Sequence, residues 1–419
     1  MKNFYFAAAF LLLLFSCGNP PAKKTEPAVS DFTKAVQQLQ RAGLLKNIPQ
    51  PKLDSISKKY EQAENGLQDM LAANGDLLKI NVTRNGRTFD EMYKCIADTF
   101  GMKYPELKCD ELTTEIIPEK PGKHDTDWVI VKMRFGNKWY ERRLYYMRKW
   151  ETDDFIYRIY NRKLADEGKP ERLHLVEYHC AACAKAQDDF MGTTDVTRYG
   201  YLMLTKIQED SLLNIPLLDM EQENEFAIYT TPQMEDELKK FEASGLPSAI
   251  AAPWYENTKR TIMREAVYSK MDVYDFFDTL ITRINIDTTN PFNPYEEILG
   301  SLAKISRGKF DPQQISDETE NPSTQKVSFM YHGNGYSFDA QRHGAYLFPG
   351  ILDDVNKALE DQHAGGAFYT IYSDASQCLV IYLEDSRVEK VKASGFFGEL
   401  QKGPSKEMKD RWQNIPAVQ

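Results

Sequence analysis

The chain has no HExxH, no GxSxG and no Walker-type glycine loop. The signatures of a zinc peptidase, of a hydrolase with a nucleophile elbow and of a P-loop NTPase are therefore missing. Active sites also assemble from distant residues, so a hydrolase with a dispersed carboxylate site stays open, though no residues single themselves out for it. Positive charge is in deficit: 52 Lys and Arg stand against 62 Asp and Glu, a net charge of −10. That balance argues against a nucleic-acid partner and against general attraction to anionic lipid. Local basic pairs such as Arg142-Arg143 and Arg148-Lys149 read as solvated strand and loop faces. Six cysteines in 419 residues make no disulfide scaffold. Low complexity is confined to residues 18–29, and one long apolar run, Phe4 to Phe15, is too short to cross a bilayer. What is plentiful is core material. A hydrophobic fraction of 42% with 12% aromatics fills real cores, and the length suits two or three domains.

The first residues carry an address. Lys2 gives a positive start, Phe4 to Phe15 is apolar, and Leu14-Phe15-Ser16-Cys17 closes the run. These are the parts of an export signal. Cysteine directly after the cut resembles the lipobox of bacterial lipoproteins, with Leu at −3 and Ser at −1; Phe15 at −2 is bulkier than the pattern usually carries. The resemblance implies lipidation of Cys17, removal of residues 1–16 and an envelope lipoprotein of a Gram-negative bacterium, held to the membrane by its N-terminal lipid. Gly18 rather than Asp after the cysteine implies the outer membrane over the inner one, on the periplasmic or surface side. Residues 17–30 then serve as an extended tether. In such an oxidising compartment the remaining Cys95, Cys109, Cys180, Cys183 and Cys378 are odd in number, so at least one thiol of a monomer stays free.

The body looks duplicated. Val129, Val131, Met133 and Phe135 alternate into Gly136-Asn137 and an aromatic return strand. Val327, Phe329 and Tyr331 alternate likewise into Gly333-Asn334-Gly335, with the glycines 197 apart (333 − 136). A helix pattern follows each hairpin, and Asn161 to Asp166 aligns with Asn356 to Asp361 at an offset of 195 (356 − 161). A short strand comes next, Leu173 to Tyr178 and Phe368 to Tyr372, and at the same offset Cys183 falls opposite Cys378. A helix precedes each hairpin too: Thr88 and Glu91 form a capping-box pair before Phe89 to Phe100, and Asn293-Pro294 starts the other. Tyr274 to Phe277 resembles Phe89 to Met92 as well, so a second registration competes there. The expected class is α+β, with two related helix-strand-strand-helix-strand modules. With a leading strand, Leu78 to Val82, the first fits a ferredoxin-like split β-α-β-β-α-β unit. The expected order is a helical pair over 31–75, a first module over 76–207, a mostly helical segment over 208–290, a second module over 291–395 and a tail over 396–419. Phe226 to Tyr229 reads as a strand within the middle segment.

Two clusters could carry chemistry. Strand Leu173 to Tyr178 leads into His179-Cys180-Ala181-Ala182-Cys183. This CxxC resembles the thioredoxin active site over about a dozen residues, which implies thiol–disulfide exchange with Cys180 attacking and Cys183 resolving. Gly192 cuts the following helix short and no cis-type Thr-Pro follows, so the plainer reading is a local disulfide or two small buried residues. Zinc would want a fourth ligand beside His179, Cys180 and Cys183, and no second CxxC or HxxxH supplies it. Aromatics form the other cluster. Trp139, Tyr140, Tyr145, Tyr146 and Trp150 crowd one hairpin strand and its exit, and Tyr336 recurs in the second copy. Exposed, they would make a stacking platform or a protein anchor; buried, they are core and cross-strand packing. The expected function is a non-catalytic envelope binding or scaffold protein without cofactor or metal, facing an unidentified protein or ligand. The alternative is a thiol–disulfide oxidoreductase.

Overall fold

The computed structural model describes residues 30–414, apart from 47, 64, 84–87, 119–125, 148–155, 178–195, 216, 219, 221–223, 286–293, 322–323, 342–346 and 375–376. Two units of like order follow one another. The first runs α1 (Asp31–Arg41), α2 (Gln50–Tyr60), α3 (Gly66–Asn74), β1 (Leu77–Thr83), α4 (Phe89–Lys103), β2 (Glu111–Pro118), β3 (Thr126–Phe135), β4 (Lys138–Met147), α5 (Tyr157–Asp166), β5 (Glu171–Glu177), β6 (Val196–Thr205) and α6 (Lys206–Leu212). The second runs α7 (Thr231–Ser244), α8 (Ala252–Arg264), α9 (Lys270–Asp275), β7 (Ile281–Asn285), α10 (Pro294–Ser306), β8 (Gln313–Asn321), β9 (Thr324–Tyr331), β10 (Asn334–Gln341), α11 (Ile351–Asp361), β11 (Gly366–Ser373), β12 (Gln377–Glu384) and α12 (Asp385–Ser394). A short strand, β13 (Gln401–Lys402), and a last helix, α13 (Lys406–Asn414), close the described chain.

The class is α+β, and each unit holds two antiparallel sheets. One is a meander, β2-β3-β4 or β8-β9-β10; the other has the order β1-β6-β5 or β7-β12-β11, the latter extended by β13. The leading strand thus pairs with the last one and not with the hairpin, so the strands are shared between two sheets rather than forming one ferredoxin-like sheet. The units also begin earlier than the hairpins suggest. Phe32, Val36, Leu39, Gly43, Pro51 and Leu53 correspond to Met234, Leu238, Phe241, Gly245, Pro253 and Tyr255, all at an offset of 202 (245 − 43). Their buried faces match, and Gly43 and Gly245 both take positive φ, 88° and 75°, where α1 and α7 end.

Local chemistry explains the elements. Thr88 and Glu91 make the reciprocal capping box on α4, and Thr230 with Gln233 does the same for α7. The β3–β4 turn places Gly136 at φ 62°, whereas the β9–β10 turn places His332 at 49° and Gly333 at 81°. Phe135 pairs with Lys138 and Tyr331 with Asn334, so the turns superpose at an offset of 196 and His332 stands where Gly136 does. The glycine-to-glycine alignment is off by one residue. The pairing of Cys183 with Cys378 also fails: residues 178–195 separate β5 from β6, whereas residues 374–376 suffice between β11 and β12, and Cys378 belongs to β12. Phe226 to Tyr229 forms no strand, since residues 225–227 make a 3-10 turn.

Layering places the helices. In β12 the side chains of Cys378, Val380 and Tyr382 enter one core with α10 and α11, and those of Leu379, Ile381 and Leu383 enter another with α7–α9 and α12. The first unit repeats this, with α4 and α5 between its two sheets and α1–α3 with α6 on the far face of β1-β6-β5. Both faces of the strand are apolar, so a one-residue slip would exchange the two cores. Burial of each large apolar side chain contributes roughly 1.5–3 kcal/mol, which makes these four cores the main source of cohesion.

Candidate functional site

The most unusual chemistry in the described chain lies on α5. Every residue from Tyr157 to Ala165 is buried, including Arg158, Asn161, Arg162 and Lys163. Asn161 clamps the helix to its strand: its amide nitrogen donates to Leu173 O (2.9 Å) and its oxygen accepts from Leu173 N (2.7 Å). Asn356 on α11 clamps Phe368 in the same way, at 3.0 and 2.7 Å. The scaffold is shared, and the surroundings differ.

Around α5, segments 225–231 and 265–268 lead into and through the second unit and close over the first. Glu225 accepts from Tyr157 Oη (2.6 Å), Asn161 Nδ2 (2.8 Å) and Tyr268 Oη (2.5 Å), and lies 3.6 Å from Arg158 Nε. Asp166 accepts from Thr231 N (2.7 Å), Thr231 Oγ1 (2.7 Å) and Tyr140 Oη (3.1 Å), with Arg162 Nε at 3.4 Å. Glu265 accepts from Arg143 N (3.2 Å) and from Arg142 Nη1 (3.3 Å), while Arg162 Nη1 donates to Glu265 O (3.0 Å). Three guanidinium groups therefore meet three carboxylates. Arg162 is 0% and Glu265 is 3% exposed, so no substrate reaches them in this conformation. Burial pushes the Glu265 carboxyl up to about 7 against the pull of Arg142, and burial also raises Glu225 against the pull of Arg158. The arrangement joins α5 and β4 to segments of the second unit, and it leaves Arg142 Nε, Arg162 Nε and Glu265 Oε2 buried without a hydrogen-bond partner.

Elsewhere, buried ionisable groups are equally withdrawn. His174 on β5 is 1% exposed, and burial, helped by Lys206 and Arg172, lowers it to about 4. It stays neutral near pH 7 and packs beside Phe226, with ring centroids 5.5 Å apart. Among the described residues no group of three His, Cys, Asp or Glu side chains is placed to hold a metal ion, and no helix is long and apolar enough to cross a membrane.

The residues singled out by sequence fall in different places. Cys17, Cys180, Cys183 and Trp150 lie outside the described residues, as do Tyr146 and Tyr145 beyond their backbone places in β4, where Tyr145 is opposite Trp128. Tyr140 is 4% exposed, packs edge-on to Phe135 at 5.9 Å and donates to Asp166, so it belongs to the core and the seam rather than to a surface platform. Trp139 is half-buried with the Arg134 guanidinium 6.0 Å from its ring. Tyr336 is half-buried, stacks on Phe329 at 5.5 Å and accepts from Gln362. Among the described side chains, Trp139 and Tyr140 are neighbours on β4 and so point to opposite faces, and Tyr336 lies on β10 of the second unit, so these three share no face. Cys95 is exposed, Cys109 half-buried and Cys378 buried, and none of these three is bridged.

A cleft of about 570 Å³ opens between the outer edge of β11, at Thr370–Ser373, and α13. Tyr372 is 37% exposed there, and Glu399, Lys406, Glu407, Asp410 and Arg411 supply its charged rim. Sequence reading passed over it because Tyr372 ends an apolar strand and α13 looks like a solvated tail. The signal for the seam was equally quiet: Arg158, Arg162 and Asp166 recur every fourth residue, the spacing of an ordinary solvated helix face. Neither a protein-family model, nor a curated protein, nor a solved structure matches this chain.

Proposed function

We propose that the chain is a lipid-anchored cell-envelope protein that acts by binding another protein, without catalysis. The observation that supports this reading is how its chemistry is distributed. The carboxylates and guanidinium groups withdrawn from water face one another along α5 and across to the second unit, whereas the accessible cleft presents an aromatic ring and a mixed-charge rim. Such a surface holds a partner more readily than it activates a nucleophile or a proton. The anchor reading rests on Leu14-Phe15-Ser16-Cys17: several acyl chains on Cys17, each methylene contributing about 0.8 kcal/mol when buried, would keep the protein at a membrane, outer rather than inner. An acidic balance of −10 fits a protein partner better than nucleic acid.

The test is cross-linking in intact cells. Wild type and the double variant Cys180→Ser/Cys183→Ser should capture the same partner, and Cys17→Ala should leave the membrane fraction and lose labelled palmitate. Thiol–disulfide exchange that disappears in the double variant would replace the binding reading with a redox enzyme, and unchanged fractionation of Cys17→Ala would remove the lipid anchor.

A further inference from the structure

The duplication supplies its own control for surface charge. Over residues 29–62, which hold α1 and α2, six basic residues stand against three acidic ones, a balance of +3 (6 − 3). The corresponding stretch of the second unit, 231–264 at the offset of 202, has five of each and balances at 0 (5 − 5). Of the six basic positions only Lys58 keeps its charge there, as Arg260; Lys52 and Lys59 correspond to Trp254 and Thr261. The lysines of the two copies are also used differently. In the second unit Lys240 and Lys259 are paired with Asp236 and Glu242. In the first, Lys52, Lys58 and Lys59 on α2 are exposed and make no ion pair among the described residues, Lys59 lying 4.9 Å from the Tyr60 ring. Buried Leu53 turns α2 inward. Lys52 and Lys59 then stand about two turns apart on nearly one line, with Lys58 beside Lys59, while Asp54 falls on the other flank.

This basic layer is also the one to which the anchor is joined. Ser30 caps α1, and 13 residues (30 − 17) separate it from Cys17, a reach of at most about 45 Å fully extended. Phe32 and Val36 of α1 share a core with Leu53 of α2.

We propose that α2 rests on the anionic phospholipid headgroups of the leaflet that holds Cys17, with Lys52, Lys58 and Lys59 toward them. This rests on the anchor reading above and names the face that the anchored body turns to the bilayer. The whole chain, at −10, has no general attraction to such a surface. Attraction is local, however: it falls off within about 8 Å at physiological salt, so lysines at the surface are felt and distant carboxylates are screened. The lipid already holds the body beside the membrane, so contacts too weak to recruit a free protein suffice to orient this one.

The processed, lipidated full chain on two kinds of vesicle provides the test: phosphatidylglycerol mixed with phosphatidylethanolamine, and phosphatidylcholine alone. Amine-reactive labelling, read residue by residue by mass spectrometry, should be at least fivefold slower at Lys52, Lys58 and Lys59 on the anionic vesicles than on the neutral ones. Exposed Lys239 of the second unit should label equally on both. High salt should abolish the difference. The double variant Lys52→Glu/Lys58→Glu, with unchanged thermal unfolding, should restore fast labelling of Lys59. Equal labelling on the two vesicles would overturn the proposal. So would protection on both, which would assign the face to a second copy or to the chain's own tether. Palmitate on Cys17 with no protection of α2 sinks this face alone, whereas absence of palmitate sinks the anchor reading and this proposal with it.

Discussion

Helices α5 and α11 hold the same place in their units and live in opposite conditions. Each is clamped by an asparagine to the strand that follows, with matching distances. Around α5 the second unit has closed, and Arg158 and Arg162 are sealed inside with Asp166, Glu225 and Glu265. Their counterparts on α11, at an offset of 195 (356 − 161), are Asp353, Lys357 and Asp361, all exposed. One backbone plan thus supports a buried ionic joint in one copy and a solvated face in the other. The lesson is that the partner surface, not the helix, sets what a charged residue does.

Breaking that contrast should give the largest effect. Arg162→Ala leaves Asp166 short of its buried counter-charge and should cost about 3–5 kcal/mol in denaturant unfolding. Lys357→Ala, on the exposed counterpart, should stay within about 0.5 kcal/mol. Comparable losses at the two positions would mean that α5 is not sealed as described.

The asparagine clamps sharpen the comparison. Asn356→Ala strands one buried N–H and one buried C=O and should cost about 2 kcal/mol, while Asn161→Ala also deprives Glu225 of a donor and should cost about 1 kcal/mol more. Equal losses would remove Asn161 from the seam.

A smaller effect should appear with pH. The folded state holds Glu265 at about 7 against 4.5 for a free glutamate, so it binds the proton more tightly than the unfolded chain does. Its contribution is fully present below about 4.5 and is lost as pH rises through about 7. His174 works the other way: lowered from 6.5 to about 4, it contributes stability above 6.5 that is lost as pH falls toward 4. Glu265→Gln should therefore gain stability relative to wild type as pH rises from 5 to 8, and the difference curve between the two proteins isolates this one group. A flat difference curve would put the Glu265 carboxyl back in the ordinary range.

Much of the scaffold was legible in the sequence. The Thr88–Glu91 box, both hairpins and the Asn161–Asn356 alignment all survive in the structure, because each depends on a local pattern that tertiary packing reinforces. Strands β2 and β8 were missed. They are meander edges carrying Glu111, Thr113 and Glu115, or Ser316, Asp317 and Glu318, with little of the apolar alternation that marks a half-buried strand. The correspondence of α1–α3 with α7–α9 was available in Gly43, Gly245, Pro51 and Pro253, but no hairpin draws the eye there. The seam itself could not be read from spacing. A charge at every fourth residue describes a wet face and a sealed one equally well until a second unit is laid upon it.

The joint across the two units is best tested by a double-mutant cycle on Arg142 of β4 and Glu265 of the second unit, measured at pH 8 where Glu265 is mostly ionised. The expected result is a coupling above about 1 kcal/mol, since the pair is close and largely withdrawn from water. Additivity of Arg142→Ala and Glu265→Gln within about 0.3–0.5 kcal/mol would contradict the account that buried charges join the two units beside α5.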